Sequence, residues 1–167
     1  SAVVVAALAV GVIGIAWQAQ VARAEARKAG AIRDFLVGIF ERNSIAHPDG
    51  SKARQTTAEE LLAQAATEIR TGLADAPEIR TELLGVIGNL YAGLEMQKEA
   101  LPLLEERLAI QRRMSGDSDP AVARTLSDLA ISQLQSGDYP GAERSATEAL
   151  EIFRAQGDES ALEHALA

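Results

Sequence analysis

Two histidines, His47 and His164, are the only imidazoles in the chain, and there is no cysteine. A zinc or copper site draws on imidazoles or thiolates a few residues apart. Neither histidine has such a neighbour, so both read as solvent-facing polar residues and we expect no metal site. Glu59-Glu60 and Glu105-Glu106 are adjacent carboxylates. Neighbours on a helix diverge by about 100° and cannot converge on one substrate as a general acid and base. Gly11 and Gly14 lie in an apolar run with no Lys closing a phosphate loop, and no His-Arg-Asp catalytic loop is present. The sequence predicts a chain without catalytic residues and without a cofactor.

Charge narrows the partners. The formal net charge of −8 is unevenly spread. From Ser1 to Thr56 there are seven Lys/Arg against four Asp/Glu; from Thr57 onward there are nine against twenty. An acidic body of this kind excludes nucleic acid as the expected partner.

The chain opens without Met inside "AVVVAALAVGVIGIAW", Ala2 to Trp17, which we read as the interior of a longer protein. As a helix, this uncharged run spans roughly 24 Å, just short of a hydrocarbon core. Trp17 stands where an interfacial aromatic would, with Gln18, Gln20 and Arg23 after it. We expect a transmembrane helix over 1–17, truncated at its start. A secretory signal, cut after Ala22, Arg23 and Ala24, and a buried core helix are the alternatives. Ala7, Gly11 and Gly14 give the span one small-residue face on which two copies could pair as a homodimer.

Residues 18–43 read as a juxtamembrane amphipathic helix, a stalk with Ile32, Phe35, Leu36, Ile39 and Phe40 on one stripe. "NSIAHPDGSKARQTT" is a loop, over about 44–57, broken by Pro48 and Gly50. Thr56 or Thr57 then caps a helix over about Ala58 to Ala74, with Leu61, Leu62, Ala65, Ile69 and Leu73 facing a core.

Beyond it the chain repeats itself. "IGNLYAGLEMQKEALPLLEERLAIQRR" from Ile87 aligns without a gap on "LAISQLQSGDYPGAERSATEALEIFRA" from Leu129, at a constant offset of 42. Ala100 then falls on Ala142, Leu108 on Leu150, Ile110 on Ile152 and Arg112 on Arg154. Each unit reads as a helix pair: Pro77–Gly93 with Gln97–Met114, then Asp119–Ser136 with Tyr139–Ala155. A third pair begins near Ala161, so the repeat domain covers 58–167 with its last repeat incomplete. A thin pair cannot bury its own apolar face, so neighbouring pairs must stack, and the expected fold is all-α, an α-solenoid.

These residues resemble tetratricopeptide repeats: Ile87-Gly88 and Tyr91, then Leu129-Ala130, Gly137-Asp138-Tyr139, Ala142, Ala149 and Leu150. The wording "ALPLLEERLAIQRRMSGDSDPAVARTLSDLA" is similar to the longer repeats of kinesin light chains and many bacterial proteins. The first repeat departs from that pattern at Glu95 and Gln97, which implies a less tight turn. The resemblance implies a concave groove lined by first helices, and alignment puts Glu82, Gly85, Asn89, Ala92, Arg124, Ser127, Ile131 and Gln135 there. Asn89 and Arg124 are candidates to hold a peptide backbone or carboxylate. Some members use a basic clamp for C-terminal carboxylates; it needs Lys where this chain has Gly85, so no such clamp is expected.

The order of parts also resembles the region after the catalytic domain of bacterial transmembrane Ser/Thr protein kinases. That implies a protein- or peptide-binding, sensing repeat module anchored in the bacterial inner membrane by Ala2 to Trp17, with the repeats outside the cytoplasm. Arg23, Arg27, Lys28 and Arg33 after the span point the other way, toward a cytoplasmic repeat side. A membrane-anchored scaffold, or the repeat region of a membrane-bound transcriptional regulator, is the alternative reading.

Overall fold

The computed structural model describes residues 26, 28–35, 37–39, 41 and 58–157. The span over 1–17 with Ala7, Gly11 and Gly14, the loop over 44–57, both histidines and the pair beginning near Ala161 lie outside the described residues. Among the described residues no helix is long and apolar enough to cross a membrane.

Five helices carry the repeats: α1 (Ala58–Gly72), α2 (Pro77–Gly93), α3 (Gln97–Ser115), α4 (Pro120–Ser136) and α5 (Tyr139–Gln156). There is no strand among the described residues. Each helix packs on the next in the chain, and α2 also touches α4, the pattern of an α-solenoid. The ends follow from local chemistry. Asp119 caps α4 by accepting the Ala121 N–H at 2.7 Å, and Pro120 opens the helix where a missing N–H costs nothing. Asp138 caps α5 through the Gly141 N–H at 3.0 Å. Gly137, at φ 84°, closes α4 in the left-handed conformation. Asp119 is therefore the cap of α4 rather than its first residue, α1 stops two residues before Ala74, and α3 and α5 each run one residue further than expected.

The turn between α2 and α3 corrects one expectation. Glu95, 42 residues before Gly137, has φ 61°, and the Met96 N–H bonds the Tyr91 carbonyl at 3.0 Å. In the second pair the Asp138 N–H bonds the Gln133 carbonyl at 2.9 Å. The two turns are alike. Without Gly, the first holds a side chain in a conformation that costs about 1–2 kcal/mol.

One apolar cluster joins Ile39, Ala65, Ile69, Leu83, Leu84, Ile87, Tyr91, Ala100, Leu103 and Ile110. Ile32 and Phe35 pack against it, so the described part of the expected stalk helix docks its apolar stripe on the repeats. Lys28 also reaches Glu78 of α2 at 3.5 Å. Of the five core positions expected there, Ala65 and Ile69 are buried and Leu61 and Leu62 half-buried in α1, while Leu73, also half-buried, lies just past its end. A second cluster, Val122, Ala123, Leu126, Ala149, Ile152 and Phe153, holds α4 to α5. Ala142 is half-buried where its counterpart Ala100 is fully buried. Ala100 belongs to the first apolar cluster, with Leu83, Ile87 and Leu103, whereas Ala142 is not part of the second.

Salt bridges repeat with the same pitch. Arg70 Nε donates to Glu106 at 2.9 Å, and Arg112 pairs with Glu148; both partners are 36 residues apart. Shifting the first pair by 42 gives the second. The period therefore extends back to α1, the second helix of an earlier pair, and these contacts staple successive second helices. Arg80 of α2 joins the first staple by a further bond to Glu106. Burial alone would push the Glu106 carboxyl up; the bonds and charges of Arg70 and Arg80 outweigh it and hold the carboxyl below its ordinary range.

Candidate functional site

The first helices α2 and α4 lie side by side, and between them a shallow cavity of about 240 Å³ opens to solvent. Asn89, Ala92 and Gly93 line it from α2; Asp128, Ile131, Ser132 and Gln135 line it from α4. Helical spacing aligns them: Asn89 with Ala92 and Gly93, Asp128 with Ile131, Ser132 and Gln135.

Of the residues expected in the groove, the structure brings together Asn89, Ala92, Ile131 and Gln135. Glu82 and Arg124 are exposed further along α2 and α4, outside the cavity lining. Ser127 is half-buried and spends its hydroxyl proton on the Ala123 carbonyl of its own helix, at 3.1 Å. Gly85 does not line the groove as expected. It is buried beneath the Arg107 guanidinium, and a Cβ there would lie 2.7 Å from Arg107 Cζ.

Arg107 and Asp128 were not among the expected site residues. Arg107 belongs to the second helix α3, yet its side chain passes between α2 and α4, and its Nη1 donates to Asp128 Oδ2 at 3.1 Å. The period carried a signal for it. Positions 42 residues to either side are Ala65 and Ala149, each 1% exposed. An arginine thus stands where the neighbouring second helices bury alanine, and Gly85 leaves the room it needs. Gln111, one turn on, breaks the pattern in the same direction. Its counterparts are the buried Ile69 and Phe153, while Gln111 accepts a 2.7 Å bond from the buried Thr125 hydroxyl. The α3–α4 junction is therefore specified by two polar pairs where the equivalent residues elsewhere are apolar.

The amides of the groove are oriented by their partners. A carboxylate accepts only, so Asn89 turns Nδ2 toward Asp128 Oδ2, a long contact of 3.5 Å. Gln97 Nε2 faces the Ala92 carbonyl at 3.4 Å and donates to Gln135 Oε1 at 2.7 Å. Among the described residues no group of three or more His, Cys, Asp or Glu could hold a metal ion. The groove presents oriented amides, one carboxylate and the exposed Ile131 side chain.

Residues 79–155 match the tetratricopeptide repeat. The match runs from the first turn of α2 to the last turn of α5, so the groove between α2 and α4 lies inside the matched residues. A solved structure similar to the chain is the crystal structure of BtubC (BKLC) from P. vanneervenii. The two are 20% identical with a TM-score of 0.49, over 78% of this chain and 56% of that one. The chain thus spans little more than half the length of that protein. A comparison with curated proteins finds no match.

Proposed function

We propose that the tetratricopeptide pairs form a non-catalytic module that binds an extended peptide, or a protein segment, along the concave groove. The observation that carries this is the cavity between α2 and α4, whose amides are fixed by their own partners before any ligand arrives. A preorganised surface of alternating donors and acceptors suits a peptide backbone, which presents both. The test is a display screen of random dodecapeptides on the immobilised protein. Binders should be lost on Ile131→Arg, which fills the groove from an exposed position, and retained on Met114→Arg, an exposed site at the end of α3. Binders indifferent to Ile131→Arg would refute the reading.

The finer reading places this module after the membrane helix of a bacterial Ser/Thr protein kinase, with the repeats outside the cytoplasm and sensing a ligand. The order of apolar run, amphipathic helix and repeats supports it. In this proposal Ala2 to Trp17 anchors the chain, and the face of Ala7, Gly11 and Gly14 pairs two copies. A kinase sequence encoded before Ser1 bears it out; a start codon just upstream favours a membrane-anchored scaffold. Labelling a cysteine placed at Ser118 in intact cells reads the side, and protection from an impermeant reagent puts the repeats inside.

A further inference from the structure

Resting on the groove as a peptide site, we infer that the ligand is a cationic one: a peptide that sets a lysine or arginine side chain against Asp128. Asp128 Oδ2 is taken by Arg107 and faces Asn89, while Oδ1 has no partner among the described residues; the side chain is 31% exposed. Asn89 has its nitrogen toward Asp128, so its Oδ1 is left as an acceptor beside it. One end of the cavity therefore presents two acceptors, one of them charged. At the other end, Gln135 accepts from Gln97 with Oε1, which leaves its Nε2 as a donor. Ile131, 57% exposed, lies between.

The arginine beneath does not turn this site toward anions. Its side chain is only 15% exposed, packed over Gly85, and its Nε is buried without a partner. What Arg107 does is hold Asp128. It fixes one carboxylate oxygen of a residue that lines the cavity, a positioning residue brought in from the second helix. The other charges on these helices, Glu78, Arg80, Glu82 and Arg124, sit outside the lining, and residues 58–157 carry nine Lys/Arg against seventeen Asp/Glu. The surrounding field also favours a cation. An extended peptide would give its ammonium or guanidinium donors to Asp128 Oδ1 and Asn89 Oδ1, lay an aliphatic residue on Ile131, and offer a carbonyl to Gln135.

Fluorescence anisotropy with three labelled decapeptides tests this. They share Leu, Ser and Gly and carry three Lys, three Glu or three Gln at the same positions. The lysine peptide should bind at least tenfold more tightly than the glutamate peptide. Asp128→Asn should remove most of that preference, while Glu105→Gln, the same charge change at an exposed position of α3 outside the cavity lining, should leave it. Thermal melts followed by circular dichroism check that both variants remain folded. If Asp128→Asn and Glu105→Gln act alike, the preference is only the net charge of the molecule and the inference falls while the groove reading stands. A preference for the glutamate peptide also overturns it. If none of the three binds and the display screen also yields no groove-dependent binder, the groove reading fails and this inference with it.

Discussion

Gly85→Ala should destabilise the protein as it stands and stabilise it once Arg107 is gone. Alanine in place of glycine inside a helix is worth about 1 kcal/mol in favour of the folded state. At Gly85 the added Cβ would meet Arg107 Cζ and Nη1 at 2.7 Å and Nε at 2.9 Å, too close for the guanidinium to stay. Moving it breaks the bond to Asp128. A hydrogen bond between charged groups contributes about 1.5–3 kcal/mol, at the lower end here because Asp128 is in partial contact with solvent. The net change is a loss of roughly 0.5–1 kcal/mol. In the Arg107→Ala background the second helix carries the residue that Ala65 and Ala149 have at equivalent positions. There the added methyl meets no guanidinium, and the helix preference of about 1 kcal/mol emerges alone. Urea denaturation followed by circular dichroism reads both backgrounds. A stabilisation of equal size in the two would refute the argument that Gly85 exists to seat Arg107.

Three further outcomes follow from named contacts. Glu95→Gly should raise stability by about 0.5–1 kcal/mol in the same denaturation assay, because glycine enters the left-handed turn without the steric cost of a Cβ. Reversing the charge at Arg112 alone should cost about 0.5–1 kcal/mol, and the double change Arg112→Glu with Glu148→Arg should recover part of it, since only the pair's own attraction is restored. Glu106 has a folded pKa below its unfolded one, so its stabilising contribution is full above the ordinary carboxyl value and disappears as the pH falls through the depressed value. Melting temperature against pH should therefore drop less steeply on the acid side for Glu106→Gln than for the parent, and an identical acid limb would contradict the role given to Arg70 and Arg80.

Periodicity made the fold readable. A constant offset of 42 placed the helix pairs, and the caps Asp119, Asp138 and Gly137 are local signals that set boundaries to within a residue or two. The α2–α3 turn was not legible because Glu95 looks unlike glycine, yet it takes the positive φ that Gly137 has in the next pair. Half of the site was legible. Asn89, Ala92, Ile131 and Gln135 came from their register on the first helices. Asp128 lies one position beyond the aligned Ser127, and Arg107 comes from a second helix that the resemblance does not assign to the groove. Arg107 was visible only as an exception: an arginine between two alanines at the repeat spacing, with a glycine opposite it.

The central claim is that a peptide lies between α2 and α4, and site-specific photocrosslinking tests it most directly. A benzophenone amino acid at Ile131 should crosslink a dodecapeptide taken from the display screen, and unlabelled peptide should compete the product away. The same probe at Met114, outside the groove lining, should not. Competed crosslinking at Met114 with none at Ile131 would contradict the account.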